Sequence, residues 1–197
     1  MIAVEINADQ FKRLGESAAA AKKSLPKELA AAINAVSKKT KLQMGRDIRA
    51  TVNMKKEQSE KPLSIRATAT LQNLEAIVSL KKTRRLGLRH FGAKQDKRGV
   101  SFKISKKGGR QRVDGAFMGP NPKAIKISWK GHAFKRVTQA RLPIMQILGV
   151  SAYGVYVINN LAGPQADAIT AELTKQMERR INLNVLRANG LVPNHDY

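Results

Sequence analysis

The sequence predicts an α+β fold, in which N-terminal helices and a C-terminal helix pack on a mostly antiparallel sheet with a long basic hairpin region. Apolar residues recur every three or four positions over 26–50 and 164–187, which is typical of amphipathic helices. Over much of the middle they alternate with polar residues, which is typical of half-buried strands. Helices and strands segregated in this way favour an α+β fold.

The N-terminal part begins with a strand, because the residues at 2, 4 and 6 are apolar and alternate with others. A helix over 9–23 follows, and Pro26 marks the start of another, since proline suits the first turn of a helix. The spacing predicts this long helix over 26–50. Its apolar face is Leu29, Ile33, Val36, Thr40, Met44 and Ile48. Its opposite face carries Lys27, Lys38, Lys39, Lys41, Arg46 and Arg49.

The central part is predicted to be a series of hairpins. After a polar loop or short helix at 51–62, strands at 63–69 and 76–80 are joined through Gln72-Asn73. Next, Val100, Phe102 and Ile104 alternate with Ser101, Lys103 and Ser105, which predicts a strand that returns over 110–113.

The turn of that hairpin is assigned to Lys106-Lys107-Gly108-Gly109, because glycine accepts a positive φ. A further hairpin is predicted over 124–137, with Ile125, Ile127 and Trp129 on one side of its first strand.

The C-terminal part is predicted to be two helices, over 151–162 and 164–187, separated by Gly163-Pro164. Ser151 is the expected cap of the first helix. From residue 189 onward the chain is expected to be frayed or extended.

Length and composition suggest one domain over 1–197, with an N-terminal part at 1–62, a basic β region at 63–141 and C-terminal helices at 142–197. There is no cysteine, which excludes disulfides and thiolate metal sites. Neither a signal peptide nor an apolar stretch of the ~20 residues needed to cross a bilayer is evident. We therefore expect a soluble intracellular protein with no membrane partner.

The positive charge is concentrated in residues 81–141. This segment holds 19 Lys and Arg against two Asp, a net charge of +17 within a chain of +23. Such a field attracts polyanions or an acidic protein surface. The expected docking residues are Lys81, Lys82, Arg84, Arg85, Arg89, Lys94, Lys97, Arg98, Lys103, Lys106, Lys107, Arg110, Arg112, Lys135 and Arg136.

Three interpretations of this segment stay open: a solvated loop face, a nucleic-acid-binding surface and a surface that docks on an acidic protein. Phe102 and Trp129 alternate as core residues do, so they are poor platforms for stacked bases. No RNP box, zinc-finger spacing or KH loop occurs.

No residue set predicts a catalytic, cofactor or metal site. Neither phosphate-binding glycine motif is present, and His90, His132 and His195 lack metal-ligand spacing. Neighbouring basic residues should depress the basicity of the first two. The two acids of the segment, Asp96 and Asp114, are expected to pair with nearby Lys or Arg.

An ordered series of short motifs runs through the basic segment and past it. The series is Phe91-Gly92-Ala93-Lys94-Gln95, Lys97-Arg98-Gly99-Val100-Ser101, Lys106-Lys107-Gly108-Gly109-Arg110, Gly115-Ala116-Phe117, Gly131-His132 to Arg136, Arg141-Leu142-Pro143-Ile144 and Gly149. In order and approximate spacing it resembles the minor tail protein Z family of tailed bacteriophages and prophages, most closely over 84–151. No single motif is specific; their order is.

The resemblance implies a tail completion protein, structural and not enzymatic, in the virion neck at the head-proximal end of the tail, assembled in the host cytoplasm. It implies contact with the tail terminator or tube and with head-connector proteins. It also implies a homo-oligomeric ring, with a hexamer favoured. The basic face would dock on acidic partners or face the channel that carries genomic DNA.

Within the series, the glycines are expected to serve turns or close backbone approach, and Phe117 to anchor the core. Leu142-Pro143-Ile144 is expected to pack on the core as the chain enters its final helices. The alternative function is that of a sequence-nonspecific nucleic-acid-binding protein.

Overall fold

Helices and antiparallel sheets together form an α+β fold, as the sequence predicts. The computed structural model describes the backbone of residues 2–7, 25–119 and 131–188. The described helices are α1 (Leu25–Thr51), α2 (Lys56–Glu60), α3 (Ala152–Ile158) and α4 (Ala162–Ala188). The described strands are β1 (Ile2–Asn7), β2 (Leu63–Ala67), β3 (Glu75–Leu80), β4 (Lys94–Gln95), β5 (Gly99–Phe102), β6 (Gln111–Asp114), β7 (Ala116–Met118), β8 (Ala133–Arg136) and β9 (Ile144–Gln146).

The chain divides into two compact units, each assembled from separate stretches. Unit 1 comprises Met1–Met44, Leu63–Lys81 and Asn160–Tyr197, and unit 2 comprises Gly45–Pro62 and Lys82–Asn159. The predicted boundary at 62 coincides with a unit boundary, whereas 141 lies inside unit 2. The charge divides unequally, since unit 2 has 23 Lys and Arg against five acids, a net +18, which leaves +5 for unit 1.

Unit 1 places helices beside a three-stranded antiparallel sheet in the order β1-β3-β2. The predicted 63–80 hairpin is confirmed, because β2 pairs with β3. The apolar face of α1 is confirmed too, with Ile33 and Val36 buried in one cluster with Leu173 and Met177 of α4. The periodicity that predicted both helices therefore marks the faces that form the core of this unit.

Polar contacts tie the elements of unit 1 together. The side chain of Asn34 on α1 donates to the carbonyl of Ala69 at 2.9 Å and accepts from its N–H at 2.8 Å. Arg180 on α4 meets Glu28 on α1 at 2.9 Å. Both partners of that ion pair are partly shielded, so it aligns the helices with little loss to solvent screening.

Unit 2 contains two three-stranded antiparallel sheets, β4-β5-β6 and β7-β8-β9. The predicted hairpin in the basic segment is confirmed as the β5–β6 pair. Its connection is longer than predicted, because β5 ends at Phe102, and Asn53 N–H then binds the carbonyl of Ile104 at 2.7 Å. That bond holds the connection against residues 52–53 and ends the β5–β6 ladder there.

The positive φ predicted for the glycines of that turn is wrong. In the described residues, positive φ values of glycine occur at Gly92, Gly115 and Gly131, and not at Gly108 or Gly109. Gly115, with φ +70°, is the single residue between β6 and β7, and its N–H binds the carbonyl of Arg98 at 3.0 Å. It thus joins the two sheets at a turn that a β-branched residue would strain.

The second sheet differs from the predicted 124–137 hairpin. The predicted first arm lies outside the described residues, whereas the second arm, β8, pairs with β7 on one edge and β9 on the other. The predicted helix over 9–23 and the tail from 189 also lie outside the described residues.

The C-terminal helices begin and end near the predicted positions. Ser151 caps α3, with its hydroxyl accepting from the N–H of Gly154 at 3.1 Å, as predicted. The break falls at 159–161, earlier than Gly163-Pro164. Both of those residues lie in the first turn of α4, where a missing N–H costs no helical hydrogen bond.

Candidate functional site: two surfaces of unit 2

The basic segment is almost entirely exposed. Of the fifteen predicted docking residues, Lys103 alone is half-buried, and the other fourteen side chains are exposed. Lys81 belongs to unit 1 and the others to unit 2. We call the exposed Lys and Arg of residues 82–112 the cationic surface.

One face of the β4-β5-β6 sheet carries part of this surface. Lys94 on β4 and Arg112 on β6 both lie opposite Ser101 on β5, so the three share a face. The other face carries Val100 and Phe102, which are buried. The alternation that predicted this strand therefore separates cations from the core, as expected.

Four of the arginines have partners within the chain. Arg110 donates to the carbonyl of Gly92 at 2.8 Å and to that of Ser101 at 3.0 Å, which fixes its guanidinium. Arg136 lies over the ring of Phe117, 5.7 Å from its centroid. Arg89 and Arg112 are also engaged.

The two acids of the segment are both occupied. Asp114 forms an ion pair with Arg112 at 2.9 Å, as predicted. Asp96 instead binds the backbone, accepting from the N–H groups of Arg98 and Gly99 at 2.9 Å each. These amide bonds, that of Arg98 first, lower the pKa of Asp96. Within the described residues it forms no ion pair with a Lys or Arg side chain, because the turn supplies closer donors, but the charges of Arg112 and Arg98 lower its pKa further, so the predicted pairing holds only as a longer-range attraction.

The side chains of the remaining cations of the surface form no specific contact, although the charge of Arg98 acts on Asp96. Within the described residues, no ion pair, hydrogen bond or ring contact involves the side-chain charge of the following residues. They are Lys82, Arg84, Arg85, Lys94, Lys97, Arg98, Lys106, Lys107 and, outside the cationic surface, Lys135.

A second surface of unit 2 has the opposite character. Residues 142–159 contain no charged residue, and we call them the charge-free segment. Several of its large apolar side chains are exposed to solvent. They are Leu142, Met145, Leu148, Val157 and Ile158, at 65%, 60%, 46%, 48% and 81%.

The predicted packing of Leu142-Pro143-Ile144 on the core is wrong. Leu142 and Pro143 are exposed, and Ile144 is half-buried. The physical reason is position, since among the described strands β9 pairs with β8 alone, and the chain reaches it from an exposed loop. An exposed apolar stretch on a sheet edge is typical of a surface that another protein covers.

The motif residues contribute mainly to structure. Phe117 is half-buried, with its ring centroid 6.1 Å from that of Phe134, so it anchors the core only in part. Phe91 is fully buried and anchors the core, a role that no pattern in the sequence indicates. A Cβ added at Gly149 would lie 2.5 Å from the ring of Phe91, so only glycine fits there.

Other motif residues lie near these anchors. Ala116 is buried and Ala93 is half-buried, whereas Gly92, Gly108, Gly109 and Arg141 are exposed. Gly92 follows a single 3-10 turn, Leu88–Phe91, with φ +65°. It therefore ends that turn in the left-handed conformation, which is the role expected of it.

The histidines of unit 2 lie close to cations, as predicted. Burial first, and then Arg89, lowers the pKa of both His90 and His132. Nδ1 of His132 lies 2.8 Å from the side-chain nitrogen of Gln146. Within the described residues, no three metal-binding side chains cluster together. In the same part of the chain, no helix is long and apolar enough to cross a membrane.

The fold and its surfaces define a class: an α+β protein with an exposed cationic surface and a charge-free apolar surface. Comparison with protein-family models, curated proteins and solved structures finds no match to this chain. The two surfaces and the ordered motifs that run through both of them are the features that bear on its function.

Proposed function

We propose that this protein is a structural component of a bacteriophage virion, a tail completion protein without enzymatic activity. It completes the head-proximal end of the tail, in the neck, so that the tail can join the head. The observation that carries the proposal is the ordered motif series over 84–151. That series lies in unit 2, the more strongly charged of the two units.

Contacts between distant motifs support the proposal. The ring of Phe91, from the first motif, lies against Gly149, the last residue of the series. Arg110 of the third motif donates to the carbonyl of Gly92 in the first. Motifs that pack on one another belong to one structural unit. The order of the motifs along the chain, on which the resemblance rests, is therefore tied to the fold of that unit.

The charge-free segment supports a role in assembly. Its exposed apolar side chains suit contact with protein subunits, because burying them removes apolar surface from water. Two copies of a +23 chain repel each other through their like charges. This repulsion is weakest where they meet through the charge-free segment. We propose that this segment contacts neighbouring copies in a homo-oligomeric ring, a hexamer by preference, or the tail terminator, tube or head connector.

The proposal is tested by removing the protein from a phage that encodes it. Electron microscopy of the resulting particles should show tails and filled heads that fail to join productively. Supplying the wild-type protein in trans should restore infectious virions. Normal infectivity without the protein would end the proposal.

A matched pair of variants tests the assembly surface. Leu142 in the charge-free segment and Leu71 in unit 1 are exposed by 65% and 64%. We expect Leu142→Asp to abolish complementation while changing the free energy of unfolding by no more than about 0.5 kcal/mol, because the side chain is solvated. Leu71→Asp adds the same charge and should complement fully. Equal plating of both variants would show that Leu142 is not an assembly contact.

A further inference from the structure

We propose that the cationic surface binds the phosphate backbone of duplex DNA without reading its sequence. This inference does not rest on the proposed tail function. It follows from the exposed Lys and Arg of 82–112, most of which have no partner in the described part of the chain. Exposed cations neutralise phosphates and release their counterions, which supplies most of nonspecific affinity for DNA.

The two acids of the segment offset only a small part of this charge. Asp96 is held by two backbone amides, and Asp114 neutralises Arg112 alone. The cations on the sheet are also spread out. At a strand spacing of ~4.8 Å, Lys94 on the outer strand β4 lies about 10 Å from the other outer strand, where Arg112 is held by Asp114. Lys97 and Arg98 continue the surface in the β4–β5 turn, so several phosphates can be contacted at once.

The cationic surface exposes no large apolar side chain in the described residues, and this favours DNA over an acidic protein as its partner. Protein interfaces are depleted in Lys and depend on apolar or aromatic anchors at their centre. The large apolar side chains exposed in the described part of unit 2 begin at Val137, and none lies in residues 82–119. The cationic surface therefore lacks the anchors of a protein interface, whereas the charge-free segment has them.

The aromatic side chains favour a duplex over a single strand. Stacking proteins present exposed rings to unpaired bases. Here Phe91 and Phe102 are buried, and Arg136 lies over the half-buried ring of Phe117. Contacts to the phosphates of a duplex need no such ring.

Fluorescence anisotropy with a labelled 30-base-pair duplex, over a series of salt concentrations, tests the proposal on the full chain. The test variant is K94Q/K97Q/R98Q. The control K27Q/K38Q/R179Q removes the same charges from exposed helix positions in unit 1. Each lost phosphate contact lowers the salt slope by ~0.9, so the test variant should lose roughly 2.7 in slope and roughly two to three orders of magnitude in affinity at 0.1 M salt. The control should stay within about threefold of wild type because its charges belong to unit 1 and are not part of the cationic surface.

Two further measurements make the outcome decisive. The charge-conserving variant K94R/K97R/R98K should bind as wild type does, which shows that binding depends on charge at these positions, and an unchanged urea midpoint of K94Q/K97Q/R98Q excludes a folding defect. Binding should prefer duplex DNA to polyglutamate at equal charge concentration. Equal losses in the test and control variants, or a salt slope near zero, would overturn the proposal. A test variant that loses polyglutamate binding but keeps duplex binding would assign the surface to an acidic protein instead.

Discussion

The cationic surface and the charge-free segment belong to the same compact unit, yet they expose opposite chemistry. Residues 82–112 expose cations and no large apolar side chain. Residues 142–159 expose large apolar side chains and carry no charge. A surface of the first kind attracts polyanions over a distance, whereas the second gains free energy only on close contact. The two proposals made above assign these two chemistries to two different partners, duplex DNA and a protein subunit.

The largest effect is expected from a change that removes the support shared by both surfaces. Phe91 is fully buried below the cationic surface, and its ring lies against Gly149 in the charge-free segment. Phe91→Ala should lower the free energy of unfolding by about 3–5 kcal/mol, because it leaves a cavity in the core. Urea denaturation measures this, and Phe91→Leu should cost clearly less. A loss below ~1 kcal/mol for the alanine variant would contradict the shared support.

A smaller effect is expected from adding one available charge to the cationic surface. Asp114→Asn releases Arg112 from its ion pair and adds one available cation to the surface. We expect duplex DNA affinity at 0.1 M salt to rise roughly fivefold, since one further phosphate contact is worth ~0.9 in salt slope. Asp167 is exposed on α4 in unit 1, so Asp167→Asn changes the net charge equally and is the control. If the two variants gained equally, net charge alone would explain the binding.

The smallest effect is a dependence of stability on pH. The folded-state pKa values of His90 and His132 are lowered, so the neutral imidazoles are favoured in the folded protein. Their contribution to stability is complete above the unfolded pKa of about 6.5 and is lost as the pH falls through the lower folded values. Thermal unfolding midpoints should therefore fall between pH 7 and pH 5. The fall should be smaller in H90Q/H132N, and an unchanged fall would exclude these residues as its cause.

The sequence predicts well those structural features that depend on residues close together along the chain. The spacing of Ile33, Val36 and Met44 is a local pattern, and it correctly marks the buried face of α1. The cap at Ser151 and the β2–β3 hairpin are local for the same reason. The exposure of the Lys and Arg follows from the cost of burying a charge, which needs no knowledge of the fold.

Contacts between distant residues escape such patterns. The connection after β5 is set by Asn53, whose N–H binds the carbonyl of Ile104, and nothing near Gly108 reveals that bond. The fit of Phe91 against Gly149 and the exposure of Leu142 depend on which strand lies at the edge of its sheet. Strand order is a property of tertiary pairing, so residue types alone do not specify it.

Gly115 lies at the junction between the two sheets of unit 2. It is the single residue between the strand that carries Arg112 and the sheet that ends in β9, and its N–H binds the carbonyl of Arg98 at 3.0 Å. The N–H of Met118 on β7 also donates to the side-chain oxygen of Gln95 on β4 at 2.8 Å. Two hydrogen bonds therefore hold β7 against the β4–β5 hairpin, one on each side of the turn. They restrict the backbone freedom that a glycine would otherwise give to this junction, so the direction of β7 is set relative to the turn that carries Lys97 and Arg98.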